Sequence, residues 1–264
     1  MTAMPPRIGP YEIVRPLGAG GFGRTFEARH VVLGERACLK LAHPGPGAAD
    51  RDLALREAKV LWGLHHPCLP NIYEVLVDPV DGGLVLAMRF VEGRTLAELT
   101  PIDVPLSVRV AGQVLRALRV LDRCGIVHGD VKPANVIVEP DRRGVVLVDL
   151  GLASVRPGPT TRAPGWTEGF VAPEVRAGRP PLPESDLFSL GLTLAHALGG
   201  DVERRVLPAG VPDPLIDFIV ALARRDPRER PCWGRLDPLQ WLDRIVRDLR
   251  EPRGRRLHHV QLGR

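Results

Sequence analysis

The 264-residue sequence predicts an α+β chain in two lobes, a small strand-rich N-terminal lobe with one helix and a larger helical C-terminal lobe. Three observations lead there. Up to about residue 91 the apolar residues fall in short runs bounded by Gly, Pro or Asp, the mark of strands and tight turns. After VEGRT they return at three- and four-residue spacing, the period of a helix face. Hydrophobic residues make up 44% and charged residues 25% of the chain, enough for a proper core. The N-lobe is expected over about 8–91, the C-lobe over 92–249 and a basic tail over 250–264, all within a single domain. The hinge would fall at 89–93, and a cleft between two lobes is a natural ligand site.

The elements follow in order. Compact apolar or alternating runs predict strands over 11–17, 24–31, 36–42, 72–77 and 84–89. One helix interrupts them over 50–64, with Leu53, Val60, Leu61 and Leu64 on one face. Apolar residues at helical spacing over 106–124 stop at Gly125, a good helix terminator. Two short apolar runs, 135–138 and 145–150, flank the turn-like EPDRRG. Past Pro183 helices are expected over 185–198, 214–224 and 239–249.

Several classes of function drop out. The longest apolar run, 187–198, carries Ser189 and His196 and is too short to span a bilayer. No basic segment followed by an apolar stretch opens the chain, so no secretion signal is expected and the location is read as cytoplasmic. Cys38, Cys68, Cys124 and Cys232 are scattered without C-x-x-C spacing, which predicts reduced thiols and no zinc site. The net charge of +5 sits at the C-terminus, where seven arginines from Arg244 onward face only Asp248 and Glu251. Such a run is read as a solvated end to an amphipathic helix, with no nucleic-acid or membrane partner expected.

Chemistry enters through the lysines. Of 36 basic residues only Lys40, Lys59 and Lys132 are lysines. A compact ammonium suits a phosphate pocket that the broad planar guanidinium does not fit. LGAGGFG places Gly18, Gly20 and Gly23 in the pattern G-x-G-x-x-G between two strands. Glycines there let backbone N–H groups approach phosphate oxygens. A dinucleotide fingerprint should open a helix, and here a strand follows, so that reading fails. Glu57 shares the apolar face of its helix and needs a cation, for which Lys40 is the candidate; a helix-edge pairing with Arg51 or Lys59 competes. In HGDVKPAN, Asp130 can accept a hydroxyl proton, Lys132 can reach a moving phosphoryl group and the Asn135 side chain can ligate a metal. Asp149, just beyond the next apolar strand, supplies a second metal oxygen, and Gly151 permits the turn away.

This ordered set resembles a eukaryotic-like Ser/Thr protein kinase of the compact bacterial kind. The resemblance runs from about Tyr11 to Arg247 and includes the DLG triplet at Asp149, Ala172-Pro173-Glu174, Ser185 to Gly191, and Asp226 to Pro231. It implies a protein-kinase fold and a non-specific serine/threonine protein kinase that uses ATP and Mg²⁺. Gly18, Ala19, Gly20, Gly21, Phe22 and Gly23 would cover the phosphates, with Thr25 nearby. Met88 would be the gatekeeper, and Arg89, Phe90 and Val91 the hinge whose backbone binds adenine. Ala37 and Ile137 would sandwich the ring, and Lys40 would pair with Glu57. Asp130, Lys132 and Asn135 would be catalytic, and Asn135 and Asp149 would hold the metal. In the family, the arginine matched by Arg230 pairs with the glutamate matched by Glu174.

The chain departs from the pattern at Gly129, where many members carry an Arg that pairs with a phosphorylated activation segment. This route to switching is either missing or supplied by another base such as Arg156 or Arg162, and activity is expected not to depend on phosphorylation at Thr160 or Thr161. Leu150 replaces the usual Phe and still suits an apolar spine. Between Leu198 and Pro212 there is little room for a substrate-docking helix. Two other functions compete: a pseudokinase acting as a nucleotide-binding scaffold, and a small-molecule phosphotransferase. All six catalytic positions are filled, which argues against the first, and the APE and Arg230 motifs argue against the second. The expected partners are ATP, a protein substrate with a Ser or Thr hydroxyl, and a regulatory protein.

Overall fold

A computed structural model describes residues 7–20, 23–41, 55, 58–80, 82–141, 144–150, 153–155, 169–204 and 206–250. The chain forms two compact units, Met1–Val91 with Leu150–Ala153, and Glu92–Asp149 with Ser154–Arg264.

The first unit is a six-stranded antiparallel sheet of β1 (Arg7–Ile8), β2 (Tyr11–Gly20), β3 (Gly23–His30), β4 (Arg36–Leu41), β5 (Ile72–Val77) and β6 (Leu84–Arg89), in the order β1-β2-β3-β4-β6-β5. Alternation decides its two faces. Phe26 and Ala28 of β3 and Ala37, Leu39 and Leu41 of β4 point into one core, where they meet Ile8, Tyr11, Val85 and Ala87. Cys38, Leu86 and Met88 point the other way and pack with Ala58, part of a helical turn over 58–61. The rest of the helix expected over 50–64 is largely outside the described residues.

The second unit is built on helices. In α1 (Leu96–Leu99), Thr95 and Glu98 form a reciprocal capping box, which satisfies donors at both positions. The next helix, α2 (Val104–Arg123), starts two residues before the position read from periodicity. Asp103 is the reason: its side chain accepts the Leu106 N–H at 2.8 Å, and Pro105 sits where a missing N–H costs nothing. A buried stripe of Leu106, Val110, Val114, Leu118 and Leu121 then runs to Gly125, whose φ of +71° ends the helix.

The central element is α4 (Pro183–Ala197), which follows the short α3 (Pro173–Arg176) and is buried on nearly all sides. It packs against α2 and α5 (Asp213–Leu222), and a Cβ at Gly191 would lie 2.9 Å from that of Leu222, so the two helices meet only because residue 191 is glycine. Between α4 and α5 the described residues form no helix, only a bridge between Asp201 and Val206. The last helix, α6 (Pro238–Arg250), is tied to α2 by an ion pair of Asp237 with Arg119 at 3.2 Å. Small ladders complete the unit: β10 (Val145–Leu147), β9 (Val136–Val138) and β7 (Arg94–Thr95) in that order, and β8 (Ile126–Val127) with β11 (Ser154–Val155). Among the described residues no helix is long and apolar enough to cross a membrane.

Arg230 pairs with Glu174 as the resemblance implied. Its Nη1 and Nη2 donate to the two carboxylate oxygens at 2.6 and 2.8 Å, and neither side chain reaches solvent. The remaining donors go to the carbonyls of Arg224, Glu184 and Arg225, and the guanidinium lies over the Phe188 ring at 4.8 Å. All five N–H groups of Arg230 are thereby used. Ser185 adds a hydroxyl donor to Glu174 at 2.6 Å. Burial alone would raise the Glu174 pKa, but the hydrogen bonds from Arg230 and Ser185 outweigh it and hold the carboxyl below its ordinary 4.5. A carboxyl depressed in the folded state stabilises at higher pH, so this contribution is full above about pH 4.5 and fades as the pH falls through the lowered value. Arg230→Met leaves Glu174 buried without its cation and is expected to destabilise the unit by roughly 3–5 kcal/mol, read from denaturant melts. The double change Glu174→Met/Arg230→Met should recover most of that loss and flatten the acid limb of stability against pH.

Candidate active site

The turn that leaves β8 carries the motif residues. His128 and Gly129 point their backbone N–H groups at the two carboxylate oxygens of Asp186, at 2.7 and 2.8 Å. Gly129 has φ +81°, a left-handed conformation that a side chain would strain. The Asp130 N–H donates to Nδ1 of His128 at 3.2 Å, which closes the turn. A one-turn 3-10 helix, Pro133–Asn135, follows and brings Asn135 back over Asp130.

These contacts define the environment of the Asp130 carboxylate. The Asn135 Nδ2 donates to Asp130 Oδ2 at 2.8 Å and to the Asp130 carbonyl at 2.9 Å. The Lys132 ammonium lies 2.7 Å from the same Oδ2. Asp130 is 8% exposed, so both are close, charge-assisted contacts in a largely dry setting. The two amide hydrogens of Asn135 are occupied, and its Oδ1 is the atom left for a cation. Asp149 joins the group through the backbone, because the N–H of Val148 donates to the Asn135 carbonyl at 2.9 Å. Its φ of +67° puts it in a region uncommon for non-glycine residues, though one that Asp tolerates better than most. Ile137 pairs with Thr95 on one side and Val146 on the other, and its side chain points away from the face on which Val136 and Val138 are buried. Gly93 lets these strands approach, since a Cβ there would collide with the Val138 carbonyl.

The first unit holds the remaining expected residues. Gly18, Ala19 and Gly20 end β2 and pair with Thr25, Arg24 and Gly23 of β3, so the glycine motif is the tip of a hairpin. The Thr25 hydroxyl donates to the Gly18 carbonyl at 3.2 Å. Gly21 and Phe22 lie outside the described residues, as does Glu57, the expected partner of Lys40. Lys40 is 8% exposed, opposite Thr25 and Leu86. Met88 is buried; Arg89 closes β6 with its N–H on the Asn71 carbonyl at 2.8 Å, and Phe90 and Val91 follow.

One expectation is corrected. Ala37 does not share a face with Lys40: its side chain points into the core beside Phe26 and Leu39. Counting back two residues from Lys40, as strand alternation requires, gives Cys38, which packs with Met88. The sequence reading also gave Asp186 no role beyond membership of a motif. A carboxylate one position before the apolar run of α4 was the available signal, because such a group must find donors.

The model of the protein kinase domain matches residues 11–242. The chain belongs to the protein kinase domain family. Serine/threonine-protein kinase D of Synechocystis is 30% identical over 206 residues, 71% of this chain and 40% of that protein. Serine/threonine-protein kinase pkn3 of Myxococcus xanthus is 31% identical, over 72% of this chain and 38% of that one. Serine/threonine-protein kinase PknJ of Mycobacterium tuberculosis is 33% identical, over 72% and 34%. The chain spans 34–40% of the length of these relatives. Its fold class is the expected one, a strand-rich unit and a helical unit of a kinase domain of bacterial Ser/Thr type.

If Asp186 fixes the loop, Asp186→Ala should free the amides of His128 and Gly129. Their hydrogen exchange is expected to accelerate by at least roughly tenfold relative to the ladder amides of β9, since each loses a charge-assisted bond.

Proposed function

We propose that the protein is an ATP-dependent Ser/Thr protein kinase that acts without phosphorylation of its activation segment. The observation that carries this reading is the Asp130 carboxylate, pinned through Oδ2 by Asn135 and Lys132 on a loop anchored to Asp186. Pinning one oxygen leaves Oδ1 to accept the proton of a substrate hydroxyl. Lys132 stands beside it to screen negative charge on the transferred group. Lys40 would neutralise the nucleotide phosphates from below the glycine hairpin, and the backbone of Arg89, Phe90 and Val91 would offer the adenine its hydrogen bonds.

The donor chemistry fits Mg²⁺. Asn135 Oδ1 and the Asp149 carboxylate are hard oxygen ligands, the kind this ion takes alongside water and phosphate. Water and the nucleotide phosphates would supply the ion's remaining ligands, as is usual for Mg²⁺. When bound, Mg²⁺ supplies charge neutralisation on the phosphate oxygens. The protein's own part is to hold Asn135 and Asp149 on adjoining backbone.

Gly129 supports the regulatory half of the proposal. It has no side chain to meet a phosphorylated residue, and its amide is committed to Asp186. Thr160 and Thr161 lie outside the described residues. The protein substrate, a cytoplasmic setting and a regulatory partner belong to this reading as well; the Ser/Thr kinases named above support the hydroxyl acceptor.

Incubation with Mg²⁺ and γ-labelled ATP should label Ser or Thr residues, and Asp130→Asn should cut that label by a factor of about 10²–10⁴, the usual worth of a proton acceptor. Absence of label in the wild type with surviving ATP binding would favour the scaffold reading. In the same assay Thr160→Ala/Thr161→Ala should keep activity within about threefold, less than 1 kcal/mol of barrier. Loss of activity in that variant would overturn the regulatory half alone.

A further inference from the structure

We infer that Arg36 is a positioning residue for the nucleotide, acting through the hinge residue Phe90; this rests on the kinase reading above. Backbone pairing between β4 and β6 ends at Ala37 with Arg89. Phe90 is therefore the first residue past the last rung of the sheet, and the ladder does not hold it. Arg36 does: its guanidinium carbon lies 4.0 Å from the centroid of the Phe90 ring, close for a cation over an aromatic face.

The guanidinium is itself fixed. Its Nε donates to Glu27 Oε1 at 2.8 Å, and Arg15 engages Glu27 Oε2 at 2.8 Å. The Glu27 side chain is only 9% exposed, so its carboxylate is a firm anchor and not a mobile surface group. Register explains why these residues meet. Glu27 is paired with Cys38, and Cys38 with Met88, so Glu27, Arg36, Cys38 and Met88 lie on the Lys40 face. The array thus runs from β2 and β3 through Arg36 to the hinge, along the face expected to receive adenine. A planar, permanently charged guanidinium suits both tasks, a bond to the carboxylate and a stack on the ring. The consequence is a hinge backbone held ready before the nucleotide arrives, which lowers the ordering cost of binding.

The test is a cycle of wild type, Arg36→Ala, Phe90→Leu and the double variant, each checked for folding by its thermal midpoint. Adenosine and ATP affinities would be measured by displacement of a fluorescent ATP analogue, with Lys40→Ala as a phosphate-side control. Loss of a well-formed stack should weaken adenosine and ATP alike by about tenfold in either single variant, with the double variant no weaker than the singles. Lys40→Ala should weaken ATP and leave adenosine unchanged. Unchanged adenosine affinity in Arg36→Ala, or additive losses in the double variant, would overturn the inference while the kinase reading stands. A wild type that binds neither ligand would overturn both. If Arg36→Ala does not fold, Phe90→Leu and Glu27→Gln decide it, since each loosens the same array from another side.

Discussion

A carboxylate buried near the start of a helix has to find donors, and Asp186 finds them in the backbone of the turn at His128 and Gly129. The need is mutual. The amides of His128 and Gly129 leave a two-residue strand and would otherwise be buried without partners. Two N–H groups on two carboxylate oxygens satisfy both sides with charge-assisted bonds. Because α4 is packed from nearly every direction, whatever it holds is held rigidly. Asp130, Lys132 and Asn135, on the turn that follows, inherit that rigidity.

The same first turn of α4 organises the second buried charge. Ser185 donates to Glu174, Glu184 lends its carbonyl to Arg230, and Phe188 lies against the guanidinium. A helix N-terminus favours carboxylates, and two of them are served here, one facing the turn at His128 and Gly129 and the other the Arg230 segment. Buried pairs of this kind add little net stability over an apolar replacement but punish any change to one partner. Their effect is to fix where the segments at 172–176 and 224–230 lie relative to α4.

Much of the strand-rich unit was legible because alternation is local. The bounds of β5 and β6 follow from apolar runs and turn residues alone, and those of β2, β3 and β4 differ by one to three residues. Ala37 faces the core because period two from Lys40 puts Cys38, and not residue 37, on the Lys40 face. Elements of two to four residues, such as β1, β7, α1 and α3, have no period to read and exist only through their partners. The start of α2 was missed because a cap depends on where the Asp103 side chain turns, which periodicity does not encode.

The sequence by itself determined which groups are available and in what order: glycines at 18, 20 and 23 between two strands, lysines at only three positions, and Asp130, Asn135 and Asp149 at short spacing. It also determined the alternation that sends Cys38, Lys40 and Met88 to one face. Tertiary structure alone decided the pairings across long separations of Asp186 with residues 57 and 58 positions away and of Arg36 with Phe90. The physical reason is that a residue's type and local period fix what it must satisfy, a charge, a donor or an apolar face, whereas the partner that satisfies it is chosen by how whole helices and strands pack.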